Sequence, residues 1–338
     1  MLGGALAVQL FYMLSGFLIS YVLTERKAYA STRAFYINRF LRLYPIYFLI
    51  GVLSLIGHLC SSHSIFMQTY RGMPMSGFIF LVVTNAVLLF QDWTFFLGVQ
   101  NSDVVFSADY KSNDLSLSQG LLVQPAWTLG VELSFYLLAP FILTRRRIVF
   151  SLLGASIALR VVFMWQGIAS KDPWSYRFFP TELALFLLGT LSHQLLTPLC
   201  KRLPAGVMRT LPILATVTFV TISLTYFSIP INEPYRSICL FATFFAFLPL
   251  LFIFQNRYTL DQSLGELSYP LYVSHWLVRS AVMQALPIVG IASNVAITLV
   301  AVGLSIIAAA LLNQFVGKPF EKIRNKVRLG SASRIDVR

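Results

Sequence analysis

The chain has 338 residues, 57% of them hydrophobic and 12% charged, with 26 Lys and Arg against 13 Asp and Glu and a net charge of +13. A soluble domain carries roughly twice that share of charge, and apolar runs of about twenty residues recur along the whole length. These facts exclude a soluble enzyme and point to an all-α, polytopic membrane helix bundle. The Lys and Arg stand in short clusters between apolar runs, a pattern of membrane topology and anionic lipid contact rather than of nucleic-acid binding.

The first apolar run, 5–23, holds Ser15-Gly16 in its interior and meets no charge before Glu25, followed by Arg26-Lys27. No basic residue precedes it, as one would in a signal peptide, and the charges after it place its C-terminal end in the cytoplasm. Two further runs, 44–60 and 77–97, come next. If both crossed, Arg145-Arg146-Arg147, Lys201-Arg202 and the tail from Lys318 would face outward, against the positive-inside bias. If the pair makes one net crossing, all the basic clusters face the cytoplasm, and loop 98–124, with Asp103, Asp109, Asp114 and Lys111, faces out. The 77–97 run carries Asn85, Gln91 and Asp92 and is therefore expected to be a re-entrant or surface segment whose polar groups line protein or water. Spans follow at 126–143, 147–165, 178–197, 211–229, 236–254, 269–286 and 290–313. The total is about nine crossings, with residues 1–317 as one membrane domain and 318–338 as a basic cytoplasmic tail. Cys60, Cys200 and Cys239 lack metal or redox spacing and read as packing residues. The dispersed histidines give no metal site.

Ionisable residues inside a span are costly and tend to be paired or functional. Here they are Glu132, Arg160, Glu182, His275 and Arg279. Arg160 and Glu182 fit an ion pair between neighbouring antiparallel helices. In "QPAWTLGVELSFYLLAP", Thr128, Glu132 and Tyr136 share a helix face, with Trp127 beside them as an interface anchor. Glu132 reads equally as a structural or a functional group. In "GELSYPLYVSHWLV", Ser268, Tyr272 and His275 share a face, and Pro270 suits a helix start. His275 is either a hydrogen-bonded packing residue or part of a polar site. Arg39 and Arg42, at i and i+3 in "RAFYINRFLRLYPIY", serve as a topology signal, or grip phosphate as forks. His58 and His63 read as interfacial and His193 as serving a helix end.

Taken in order, "FYMLSGFLIS", "FYINRFLRLYPIY", "PAWTLGVELSFYLLAPFI", "LSYPLYVSHW" and "VGKPFEKI" resemble the acyltransferase-3 family of membrane O-acyltransferases, which includes the O-acetyltransferases of bacterial surface glycans. The resemblance spans residues 8–325. It implies about ten helices in the bacterial inner membrane. It also implies transfer of an acyl group, usually acetyl, from cytoplasmic acyl-CoA to a hydroxyl of a glycan or glycolipid, with no bound cofactor. Ser15, Gly16 and Phe17 match the family's Ser-Gly-Phe motif, where Gly16 permits close helix approach. Arg39 and Arg42 match its basic pair and would hold the phosphates of the donor. Trp127 and Glu132 match its Trp-(Ser/Thr)-Leu-x-x-Glu motif, and Tyr269, Tyr272 and His275 its late Tyr-x-x-Tyr-x-x-His pattern.

The resemblance also implies an earlier helix bearing an Arg and a catalytic His, and this chain is expected to lack it. In its absence His275 becomes the expected base, oriented by Ser268 or Tyr272, with Glu132 polarising a histidine or a hydroxyl. Two alternatives stand beside this reading. One is a truncated, inactive family member. The other is a small-solute transporter, for which the expected internal repeat of broken helices is not found.

Overall fold

A computed structural model of the chain describes residues 3–26, 28–29, 31–61, 64–109, 115–257, 259–286 and 293–332. Lys27, His63, Lys111, Asp114 and the last six positions of the basic tail lie outside them. Among the described residues, eight helical stretches are long and apolar enough to cross a bilayer: Gly4–Glu25, Thr32–Cys60, Gln124–Ile142, Arg146–Trp165, Phe179–Cys200, Ala205–Ser228, Tyr235–Gln255 and Asn294–Val327. The chain is an all-α polytopic membrane bundle. The ninth expected crossing, 269–286, falls in a helix of 27 residues, Thr259–Ala285, that is not among the eight because Glu266, His275 and Arg279 dilute its apolar character. Pro270 lies inside that helix and does not begin it. The 77–97 run forms a helix of 13 residues, Met75–Val87, about 20 Å long at 1.5 Å per residue and short of the ~30 Å hydrocarbon core.

The chain divides into two compact units, Met1–Lys27 with Val131–Gln262, and Ala28–Gly130 with Ser263–Arg338. In the first unit α1 (Gly4–Ser20) packs on α7 (Phe179–Leu191), and α7 packs on α6 (Arg146–Trp165). The remaining helices of this unit are most of α5 (Trp127–Ile142), the short α8 (Thr197–Cys200), α9 (Ala205–Thr225) and α10 (Tyr235–Arg257). Its tightest contact is a reciprocal glycine crossing. A Cβ on Gly16 would stand 1.9 Å from the Phe186 carbonyl oxygen, and one on Gly189 would stand 1.8 Å from that of Met13. Where lipid supplies no hydrophobic drive between helices, such close backbone approach is the main source of association. Phe186 is sandwiched there between Tyr12 and Phe135, at ring distances of 4.8 and 4.4 Å.

The second unit is built on α2 (Thr32–Cys60), whose start is capped by Ser31 Oγ accepting from the Ala34 N–H. With it come α3 (Ile65–Gly72), α4 (Met75–Val87), the start of α5, α11 (Thr259–Ala285), α12 (Asn294–Leu312) and α13 (Lys318–Ala332). α13 lies along α2, where the Asn38 side chain donates to the Arg324 carbonyl. The segment expected to be a plain loop holds a small antiparallel sheet, β1 (Leu97–Gln100), β2 (Asp103–Phe106) and β3 (Leu115–Ser116), in the order β2-β1-β3. Its hairpin turns at Asn101-Ser102, both with positive φ, as a two-residue turn matched to strand twist requires. The signal was a short alternating run too brief to separate from loop.

The polar residues of the 77–97 run line protein. Asn85 Nδ2 donates to the Gly120 carbonyl at 2.9 Å, and its Oδ1 accepts from the Leu122 N–H at 2.9 Å. Gln91 Nε2 donates to the Tyr47 hydroxyl and the Thr84 carbonyl. Buried amides here stand in for missing backbone partners of the irregular chain between α4 and β1.

Candidate active site

In the first unit, two motifs far apart in the chain meet directly. Ser15 Oγ donates to Glu132 Oε1 at 2.8 Å, and the Tyr136 hydroxyl donates to the same oxygen. All three residues are buried. The α-helical spacing of 132 and 136 puts the tyrosine one turn along from the carboxyl group, and the glycine crossing sets the height at which Ser15 reaches it. Both donors converge on Oε1, so Oε2 receives no hydrogen bond among the described residues. That oxygen is the one free to accept a hydrogen bond from outside the network.

Two further polar clusters lie in the same unit. Arg160 Nη2 meets Glu182 Oε1 at 2.6 Å, and Gln9 Nε2 donates to Glu182 Oε2 at 3.1 Å. The expected ion pair forms, and Gln9, which the sequence did not single out, completes the carboxylate's partners. Further along α1, Ser20, Glu25, His193 and Lys201 form a connected chain of hydrogen bonds. His193 lies within a π turn, Ser192–Leu196, rather than at a helix end.

In the second unit the late histidine motif gathers around the start of α5. The hydroxyls of Thr128 and Tyr272 lie 2.8 Å apart and share the Pro125 carbonyl, at 3.1 and 3.0 Å. Tyr269 donates to the Leu43 carbonyl at 2.5 Å and so ties α11 to α2. His275 Nδ1 lies 2.7 Å from the Tyr272 carbonyl. A carbonyl only accepts, so Nδ1 carries the proton and the lone pair sits on Nε2. The orienting group is thus backbone, not the expected Ser268 or Tyr272 hydroxyl. Ser268 Oγ is exposed and turned back to the Leu264 carbonyl, and the Tyr272 hydroxyl is engaged at α5.

The expected basic pair does not act alike. Arg39 is buried, donates to the Tyr29 hydroxyl at 3.1 Å and lies over the Phe35 ring. Arg42 is exposed and is the fork open to a ligand. Three residues apart on a helix is a 300° turn, enough for a neighbouring segment to cover one side chain and leave the other in the open. Trp127 is not an interface anchor: it is buried with its ring edge-on to Phe95 at 5.8 Å.

Asp92 is a group the sequence flagged only as polar. It is buried beside Gly130, and neither its Oδ1 nor Gln91 Oε1 has a partner among the described residues. Burial pushes its carboxyl up to about 7, against the pull of the backbone N–H groups of residues 92 and 93. An unfolded Asp ionises near pH 4, so between about pH 4 and 7 only the unfolded chain gains from ionisation. Stability should fall across that window and level off above it. The gap in melting temperature between the wild type and Asp92→Asn, which cannot ionise, should therefore widen in favour of the variant as pH rises. A gap that stays constant from about pH 4 to pH 8 would show that Asp92 ionises normally.

The profile of the acyltransferase domain matches residues 2–314, nearly the whole chain. The chain belongs to the acyltransferase-3 family. It is thereby a membrane acyltransferase by descent. No curated protein and no solved structure gives a significant match.

Proposed function

We propose that this chain is a membrane O-acyltransferase that moves an acyl group, acetyl in the first instance, from cytoplasmic acyl-CoA to a hydroxyl of a cell-surface or exported glycan. The observation that carries this reading is the 2.7 Å contact of His275 Nδ1 with the Tyr272 carbonyl, which commits Nδ1 as donor and leaves Nε2 open. Acyl transfer to a hydroxyl needs a base whose pKa lies near operating pH, placed to take the proton as oxygen attacks. His275 Nε2 fits that role. The exposed guanidinium of Arg42, near the start of α2, suits the phosphates of the donor, because a guanidinium fork matches phosphate geometry. The basic clusters and tail, read by the positive-inside bias, put that end in the cytoplasm where acyl-CoA is found. Outward loops around 98–124 supply variable contacts for the acceptor.

The test is radiolabelled acetyl transfer to surface glycan in membranes carrying each variant at equal abundance. His275→Gln should lower kcat about 10²-fold or more with little change in KM for acetyl-CoA. Arg42→Ala should instead raise that KM about tenfold. Full activity of His275→Gln would remove the base from this reading, and acceptance of no acyl-CoA by the wild type would remove the donor.

A further inference from the structure

The network at the end of α1 contains the parts of an acyl-handling site. Ser20 Oγ lies 2.9 Å from His193 Nδ1, and His193 Nε2 lies 3.1 Å from Glu25 Oε2. The second oxygen of Glu25 is held by Lys201 Nζ at 2.6 Å. A carboxylate only accepts, so Nε2 carries the proton, and Nδ1 presents its lone pair to the serine hydroxyl. Both ring nitrogens of His193 are thus committed, and the one proton it is placed to take is that of Ser20. The acid holds the tautomer and stands ready to stabilise an imidazolium, the division of labour of a serine–histidine–acid triad. Gln194 Nε2 donates to the Leu143 carbonyl at 2.8 Å and lies 3.4 Å from Ser20 Oγ, a long contact that ties this amide to the cluster. Its Oε1 is buried with no partner among the described residues.

The backbone is irregular where these side chains stand. Glu25 closes the π turn Tyr21–Glu25, and His193 lies in the π turn Ser192–Leu196. In an unbroken α-helix, residues five apart diverge by about 140°. The extra residue of the π turn swings position 25 back under position 20, so both reach one histidine. π turns inside α-helices occur frequently at functional sites. The aromatic rings of Phe17 and Tyr21 stand edge-on to the His193 ring, at 5.4 and 5.8 Å, and hold it in place.

We infer that Ser20 is an acyl-accepting nucleophile, activated by His193 and positioned through Glu25, which holds the acyl group as a covalent ester during transfer. The inference rests on the proposed acyl-thioester donor. Ser20 Oγ forms a bond to the thioester carbonyl carbon, its proton passes to His193 Nδ1, and the carbon–sulfur bond breaks. The thiolate leaves and takes a proton from water. In the second half the acceptor oxygen forms the new ester bond, the bond from Oγ to carbon breaks, and His193 returns its proton to Oγ. The acceptor's own proton goes to its base and on to water, which balances the one the thiolate took. Ser20 has no exposed surface, so an acyl-serine formed there is shielded from hydrolysis.

The test is a single turnover of the full chain in lipid nanodiscs with ¹⁴C-acetyl-CoA, quenched in acid and mapped by peptide mass spectrometry. Label is expected on the peptide containing Ser20 in the wild type and absent from it in Ser20→Ala. In Ser20→Cys, label should return as a hydroxylamine-labile thioester, which separates lost chemistry from lost folding. His193→Gln should slow labelling at least tenfold. Glu25→Gln, which removes the acid beside His193, should shift the pH dependence of labelling. Transfer to glycan with no label on Ser20, or wild-type transfer by Ser20→Ala, would overturn the inference and leave the proposed function standing. Absence of any acetyl transfer, to protein or glycan, would overturn both.

Discussion

Gly189→Ala is expected to unfold the contact between α1 and α7 well below the wild-type temperature. The new methyl would lie 1.8 Å from the Met13 carbonyl oxygen and 2.7 Å from its carbon, and both are backbone atoms that no rotamer change can move aside. The helices must separate by more than an ångström. That separation loosens the stack of Tyr12, Phe186 and Phe135 and stretches the 3.3 Å bond from Thr190 Oγ1 to the Gly16 carbonyl. Overpacking against movable side chains costs about 1–3 kcal/mol; against backbone, a loss of about 3 kcal/mol or more is expected. Gly16→Ala should behave alike, since its methyl meets the Phe186 carbonyl oxygen at 1.9 Å. Gly154→Ala, with nothing within 4 Å, is the control and should melt with the wild type. Thermal unfolding in detergent, followed by intrinsic fluorescence, reads all three. If Gly189→Ala melts with Gly154→Ala, the reciprocal glycine crossing is not how these helices meet.

Glu132→Gln is expected to fold as the wild type does and to lose transfer about 10²-fold or more. The reason is the asymmetry of the carboxyl group. Ser15 and Tyr136 both donate to Oε1, and the carbonyl oxygen of glutamine can occupy that position and accept both bonds. The change falls on Oε2, replaced by an NH₂ group that donates where the carboxyl accepted. Glu132→Ala is a different experiment. It leaves two buried hydroxyls without their acceptor, at about 1–3 kcal/mol each, and should lose stability and transfer together. The comparison separates a structural carboxyl from a functional one. Wild-type transfer by Glu132→Gln would make this group a clamp on Ser15 and Tyr136 and no part of the chemistry.

Much of the architecture was readable before any coordinate. A bilayer demands apolar runs of a set length with their backbone bonds closed internally, so the runs at 5–23, 126–143, 147–165 and 178–197 could hardly be anything but helices. The order of the motifs was enough to indicate the family, and a 77–97 run bearing Asn85, Gln91 and Asp92 read better as a re-entrant or surface segment than as a span. What the sequence could not carry was which side chains meet. Ser15 finds Glu132 across 117 positions, and Ser20 finds His193 across 173. Arg39 and Arg42 look equivalent on paper until Tyr29 and Phe35 cover one of them. Trp127 passes for an interface residue until Phe95 packs on it. A π turn leaves no periodic mark, since one extra residue in a helix is silent in an apolar run. Apolar patterning specifies which segments enter the membrane, because that is decided against lipid one segment at a time. The pairing of polar groups is decided between segments, by the angle and height at which helices cross, and here those follow from two glycines and two π turns whose effects appear only once α1 and α7 are packed.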